Sequence, residues 1–166
     1  MITSQQNWAQ LVKEAGELGQ LLSAKKQTVA TAESCTGGGI GYLLTEVTGS
    51  SAWFSGGLIV YTNALKQQWL GVTDQALAEG AVSAPCVEAM ALGAKRTAAT
   101  DWAVSVSGVA GPGGGSEDKP VGLVWMAIAG PDQCISFAKQ FQGDRTAVRL
   151  ATLNCVLTML IKKVSQ

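Results

Sequence analysis

The chain has 166 residues with 12 basic and 12 acidic side chains, 47% apolar residues and only 14% charged ones. This balance excludes a disordered chain, and the absence of any basic run among only three arginines (Arg96, Arg145, Arg149) argues against direct nucleic-acid binding. No apolar stretch reaches membrane-span length and no signal pattern opens the chain, so the expectation is a cytoplasmic protein with no membrane contact.

Apolar side chains at Leu11, Val12, Ala15, Leu18, Leu21 and Leu22 predict a helix over about 8–24. Thr28 to Ala32 reads as a short buried strand, and Thr36 to Val47 as a helix entered through glycines and closed by Gly49-Ser50-Ser51. A second strand follows at Gly57–Tyr61, then a short helix at Ala64–Leu70 ended by Gly71. Thr73 to Glu79 offers another helix, with Thr73-Asp74 as its cap. Ser83-Ala-Pro85 opens a helix that runs to about Thr100, with proline in the first turn.

Trp102 to Val109 has strand character, and the glycine-rich stretch 111–120 is a loop. Val121–Ala129 and Cys134–Phe141 flank a turn at Gly130-Pro-Asp132 and predict an antiparallel hairpin. Asp144 to Lys163 is a final helix with a stripe of Val148, Ala151, Leu153, Val156, Leu157 and Leu160. Alternating helices and strands followed by a hairpin give an α/β fold: a single three-layer α/β/α domain over residues 1–166 with a mixed sheet. Low charge and positive mean hydropathy favour surface hidden in a homodimer or higher homo-oligomer.

The chain holds no histidine, so a serine nucleophile would need another base, and lysine is the obvious replacement. Ser34 lies where a strand meets a glycine-led helix, at the edge where open α/β sheets bind ligands. It reads as a helix cap or as a nucleophile, with the amides of Thr36, Gly37 and Gly38 placed to hold an oxyanion or a phosphate. Lys66 is either a solvated lysine or a base whose pKa burial has lowered. Tyr61 is an ordinary strand aromatic or a hydroxyl bridging Ser34 and Lys66. The loop after Ser107 is a flexible surface loop or a place where small residues let amides approach a ligand. Asp144 reads as the cap of the last helix, and Arg145 beside it as a clamp for phosphate or carboxylate. Glu33 and Asp101 read as isolated carboxylates. Four widely spaced cysteines (Cys35, Cys86, Cys134, Cys155), no CxxC and no histidine point to reduced thiols and no structural metal.

Seven segments in order carry a family resemblance: Ala32-Glu-Ser-Cys-Thr-Gly-Gly38, Gly49-Ser-Ser-Ala-Trp-Phe54, Tyr61-Thr-Asn63 with Lys66, Gly80-Ala-Val-Ser83, Ser107-Gly-Val-Ala-Gly-Pro-Gly-Gly-Gly115, Lys119-Pro-Val-Gly122 and Gly143-Asp-Arg145. Over about residues 8–162 the chain resembles the CinA C-terminal domain family, which includes stand-alone nicotinamide-nucleotide amidohydrolases. The resemblance implies a stand-alone α/β/α domain that hydrolyses the carboxamide of nicotinamide mononucleotide (NMN) to nicotinate mononucleotide and ammonia in pyridine nucleotide salvage. It implies no cofactor and no metal. By position it makes Ser34 the nucleophile, Lys66 the general base and Tyr61 a supporting hydroxyl. Substrate contacts fall to Thr36, Gly37, Gly38, Asn63, Ser107, Gly108, Gly111, Gly113 and Arg145. Ser107 stands where the family commonly has threonine, which keeps the hydroxyl, and Val109 where isoleucine is usual. The alternative is a non-catalytic nucleotide-binding module associated with competence or DNA damage. A protein whose glycine loop docks a partner has less support, since no charged or aromatic surface motif accompanies it.

Overall fold

Five strands form one mixed sheet in the order β2-β1-β3-β4-β5, in a computed structural model that describes residues 4–166. The strands are β1 (Val29–Glu33), β2 (Phe54–Ile59), β3 (Trp102–Gly108), β4 (Leu123–Ala129) and β5 (Cys134–Gln140). β1 pairs parallel with β2 and β3, and the β3-β4-β5 portion is antiparallel. The helices are α1 (Ser4–Lys25), α2 (Gly39–Thr45), α3 (Asn63–Leu70), α4 (Ala84–Ala98) and α5 (Arg145–Val164). Helices α1, α2 and α5 cover one face; α3 and α4 cover the other. The expected three-layer α/β/α architecture with a mixed sheet is therefore what the chain adopts.

The period-two geometry of strands sorts side chains between the layers. Val29, Val104, Val106, Val124, Met126 and Ile128 join Leu18, Leu22, Val156 and Leu160 in the core beneath α1 and α5. The opposite face carries small residues: Ala32 and Ala103 pack with Cys86, Met90 and Ala94, while Ala127 and Ala129 pack with Val87 and Ala91. These small side chains let α4 lie close to the sheet. The Ser105 hydroxyl, on the same face, donates to the Val87 carbonyl at 2.5 Å.

Two expectations change. Residues 73–79 form successive turns rather than a helix. The Thr73 hydroxyl does accept from the Ala76 amide at 3.2 Å, but bonds such as Ala78 N to Gln75 O and Gly80 N to Leu77 O close four-residue turns. A segment this short ends at Gly80 before helix propagation can offset nucleation. The second helix begins at Gly39 rather than Thr36, because Gly37 and Gly38 take φ of +59° and +94°. Those left-handed values suit glycine and make the preceding residues a turn. Other boundaries shift by up to four residues: the first helix starts at Ser4, not near Trp8, the first strand ends at Glu33, not Ala32, and the second runs Phe54–Ile59, not Gly57–Tyr61.

Candidate active site

The site forms where β1, β2 and β3 end. β1 and β2 lead into connections on opposite faces of the sheet, which leaves a crevice at their carboxyl ends. Ladder pairing persists past the strand ends: Ser34 N donates to Val106 O at 3.1 Å and Val60 N to Glu33 O at 2.9 Å. Alternation along β1 then sends Glu33 toward α2 and Ser34 toward the α3–α4 face, where Lys66 waits.

Lys66 is carried by α3, whose first turn is capped by Thr62: its hydroxyl accepts from Leu65 N at 3.3 Å. Long helical side chains lean toward the N-terminus of their helix, so Lys66 reaches back to the end of β2. Lys66 as a whole is 1% exposed. Nζ lies 3.1 Å from Ser34 Oγ, 2.9 Å from Val60 O and 3.3 Å from Tyr61 O. Burial pushes its pKa below the ordinary 10.5, with the thiols of Cys86 and Cys35 pulling weakly the other way. The three oxygens around Nζ satisfy the three N–H donors of an ammonium; once a proton is lost, two N–H groups can stay on the carbonyls while the lone pair turns to Ser34 Oγ.

A cavity of about 190 Å³ opens in front of the pair. Ser34, Tyr61, Asn63, Lys66, Ser107, Gly108 and Arg145 line it, together with Cys35, Ala81, Val82 and Ala110. Ser107 reaches it because β3 alternation turns Ser105 and Ser107 to the α4 side. Arg145 opens α5 behind the cap Asp144, whose carboxylate accepts from Ala147 N at 2.9 Å. Arg145 spans the mouth, donating to Gly111 O at 2.9 Å and to the Tyr61 hydroxyl at 3.3 Å. Lys119 ties the glycine loop to the opposite wall through the Glu79 carbonyl.

Several expected positions behave differently. The Tyr61 hydroxyl, on a side chain 59% exposed, meets Arg145 instead of bridging Ser34 and Lys66. Only the Tyr61 backbone carbonyl touches the lysine. The helix-start amides are largely taken: Gly37 N donates to Ser34 O at 3.0 Å, and Gly38 N to Glu33 Oε2 at 3.1 Å. Thr36 faces a different hollow of about 260 Å³, shared with Trp8, Gly39, Tyr42 and Arg149 on the other side of the Ser34 loop. That hollow is the larger of the two, but the Ser34–Lys66 pair lines the smaller cavity. Gly111 and Gly113 lie outside the cavity wall; Gly111 acts through its carbonyl on Arg145, and nothing crowds Gly113.

Glu33 is not isolated. Its carboxylate accepts from the Thr31 and Thr36 hydroxyls at 3.2 and 2.6 Å. It also accepts from the amides of Gly38, Ile40 and Gly41 at 3.1, 3.0 and 2.8 Å. Cys35 beside the serine is buried, and burial raises its thiol to about 11 against its own backbone amide, while nearby Glu33 raises it further and Arg149 and Lys66 lower it. All four cysteines are unpaired thiols. Sequence reasoning missed Glu33 and Arg149 because their roles depend on which backbone atoms the fold brings to them. The position of Glu33, one residue before a candidate nucleophile and at a strand end, was the available signal.

An α/β fold with a buried Ser–Lys pair at the carboxyl edge of its parallel strands defines the class. The CinA C-terminal domain family model matches residues 12–164, and the chain belongs to that family. A nicotinamide-nucleotide amidohydrolase PncC from Shigella flexneri is 50% identical over 143 residues, 85% of this chain and 87% of that one. A CinA-like protein of Parasynechococcus marenigrum is 57% identical over 126 residues, but these cover 75% of this chain and only 30% of that longer one. Among solved structures, the competence/damage inducible protein CihA from Agrobacterium tumefaciens superposes with a TM-score of 0.90 at 40% identity, covering 94% of this chain and 96% of the other.

Proposed function

We propose that this chain is a nicotinamide-nucleotide amidohydrolase that uses a Ser34–Lys66 pair to convert NMN and water to nicotinate mononucleotide and ammonia. The observation that carries the reading is the buried Lys66 amine 3.1 Å from Ser34 Oγ, with both of its other contacts on carbonyl oxygens. The 50%-identical amidohydrolase, matched over most of both chains, supports the substrate.

Neutral Lys66 takes the Ser34 proton as Oγ attacks the carboxamide carbon of NMN. The negative oxygen of the tetrahedral intermediate is held at the turn after Ser34. With Gly37 and Gly38 engaged, the amide of Cys35, which lines the cavity, is the donor beside Ser34. Such a donor contributes roughly 3 kcal/mol to the transition state. Protonated Lys66 returns its proton to the amide nitrogen, ammonia departs, and a nicotinoyl ester remains on Ser34. Lys66 then deprotonates a water that attacks the ester, and the carboxylate product leaves with Ser34 restored. Arg145, held across the mouth by Gly111 and Tyr61, meets the phosphate of the nucleotide. Asn63, Ser107 and Gly108 form the remaining wall against the substrate. The reaction feeds pyridine nucleotide salvage, in a cytoplasmic homo-oligomer.

The test is ammonia release from NMN by metal-stripped protein beside Ser34→Ala and Lys66→Met variants of confirmed fold. Turnover by the parent and near-silence in both variants is expected. A folded parent that binds NMN and returns it intact would make the chain a nucleotide-binding module instead.

A further inference from the structure

Beyond the Ser34 amide bond to Val106 O, the loop that carries Ser34 belongs to no helix or strand. Residues 34–38 form turns between β1 and α2, with two consecutive left-handed glycines. Such a segment has many accessible conformations unless something outside its own backbone fixes it. Two charged side chains do so from the face opposite the cavity. Glu33, 1% exposed, gathers the Thr36 hydroxyl and the amides of Gly38, Ile40 and Gly41 onto its two oxygens. Arg149, from α5, donates through Nη2 to Thr36 O at 3.0 Å. The acid holds donors and the base holds an acceptor of the same short loop. The Thr36 residue is gripped at both its hydroxyl and its carbonyl, two positions after the serine.

We propose that Glu33 and Arg149 are positioning residues that together fix the 34–38 loop, and so aim Ser34 Oγ at the Lys66 amine. Neither touches the substrate cavity; both act through Ser34 and its neighbouring amides. Glu33 also fills the start of α2, which leaves substrate phosphate to bind elsewhere. The proposal rests on the reading of Ser34 as nucleophile.

The experiment compares Glu33→Gln, Arg149→Gln, Arg149→Lys and the Glu33→Gln/Arg149→Gln double variant, with Ser34→Ala as reference. Steady-state kinetics on NMN are read beside unfolding temperature and the rate at which a hydroxyl-directed phosphonate labels Ser34. Each Gln variant is expected to lose kcat on the order of 10²-fold with KM near the parent's, since a displacement of about 1 Å costs that much. Phosphonate labelling should slow in step, and the pH midpoint set by Lys66 should stay in place. The double variant should lose less than the product of the single losses, because both residues hold one loop. Arg149→Lys, which keeps a donor, should recover part of the loss.

Folded variants with parental kcat, or a raised KM at unchanged kcat, would overturn the proposal. So would labelling that stays fast while turnover falls. If Glu33→Gln does not fold, the Arg149→Gln and Arg149→Lys pair decides the question alone. A Ser34→Ala protein that still turns over would instead remove the nucleophile reading on which the loop argument stands.

Discussion

With a neutral Lys66 activating Ser34, kcat/KM for NMN rises with pH along a single-proton curve. An amine at the ordinary 10.5 is neutral in only about one molecule in 3,000 at pH 7. Every unit by which burial lowers that pKa raises the competent fraction about tenfold. The curve should therefore have its midpoint below 10.5 and a tenfold rise per pH unit beneath it. Lys66→Arg cannot supply the base, because a guanidinium keeps its proton, and Lys66→Met removes the nitrogen with little change of shape. Both variants should lose roughly 10²–10⁴-fold in kcat. Alkaline pH should restore neither.

Stability reports the same group independently. Between the lowered folded pKa and 10.5, the unfolded chain binds a proton that the folded chain does not. Stability relative to Lys66→Met thus rises with pH across that window and levels off above it. The assays are ammonia release against pH and urea unfolding of parent and variant against pH. A parental midpoint at or above 10.5, or near-parental turnover by Lys66→Arg, would refute the argument that burial makes this lysine the base.

Arg145→Ala should raise KM for NMN more than for nicotinamide riboside, which lacks the phosphate; equal changes in initial-rate kinetics would remove its phosphate role. The Cys35 thiol, at about 11, should be about one part in a thousand thiolate at pH 8. Mass spectrometry should accordingly find Cys35 unmodified after brief iodoacetamide treatment of the folded protein. Leu18 is fully buried beneath the sheet, so Leu18→Ala should cost about 2–5 kcal/mol in urea unfolding. Asp144→Ala removes the bond to Ala147 N and should cost about 1 kcal/mol by the same measurement.

The order and kind of nearly all the elements are legible in the chain. Helical spacing from Leu11 to Leu22 and from Val148 to Leu160 required buried faces, and most of those residues fill the core under the sheet, with Val12 and Leu21 packed at its edge and Ala151 outside it. The hairpin around Gly130-Pro-Asp132 and the cap at Asp144 are local chemistry, and local chemistry is legible in a chain. The lack of histidine also leaves lysine as the obvious base for a serine mechanism. Residues 73–79 misled because a cap bond at Thr73 is real but too short to propagate.

What the polar side chains meet follows from packing between distant segments. Ser34 and Lys66 stand 32 positions apart and come within 3.1 Å through two strand ends and one capped helix. Tyr61 sits at the right place in the chain, yet its hydroxyl turns outward to an arginine 84 positions away. Glu33 looks solitary in the chain because most of its partners are backbone amides, which every residue carries and no sequence distinguishes. The lowered pKa of Lys66 likewise follows from burial, a property of the packed layers around the amine rather than of any motif that contains it.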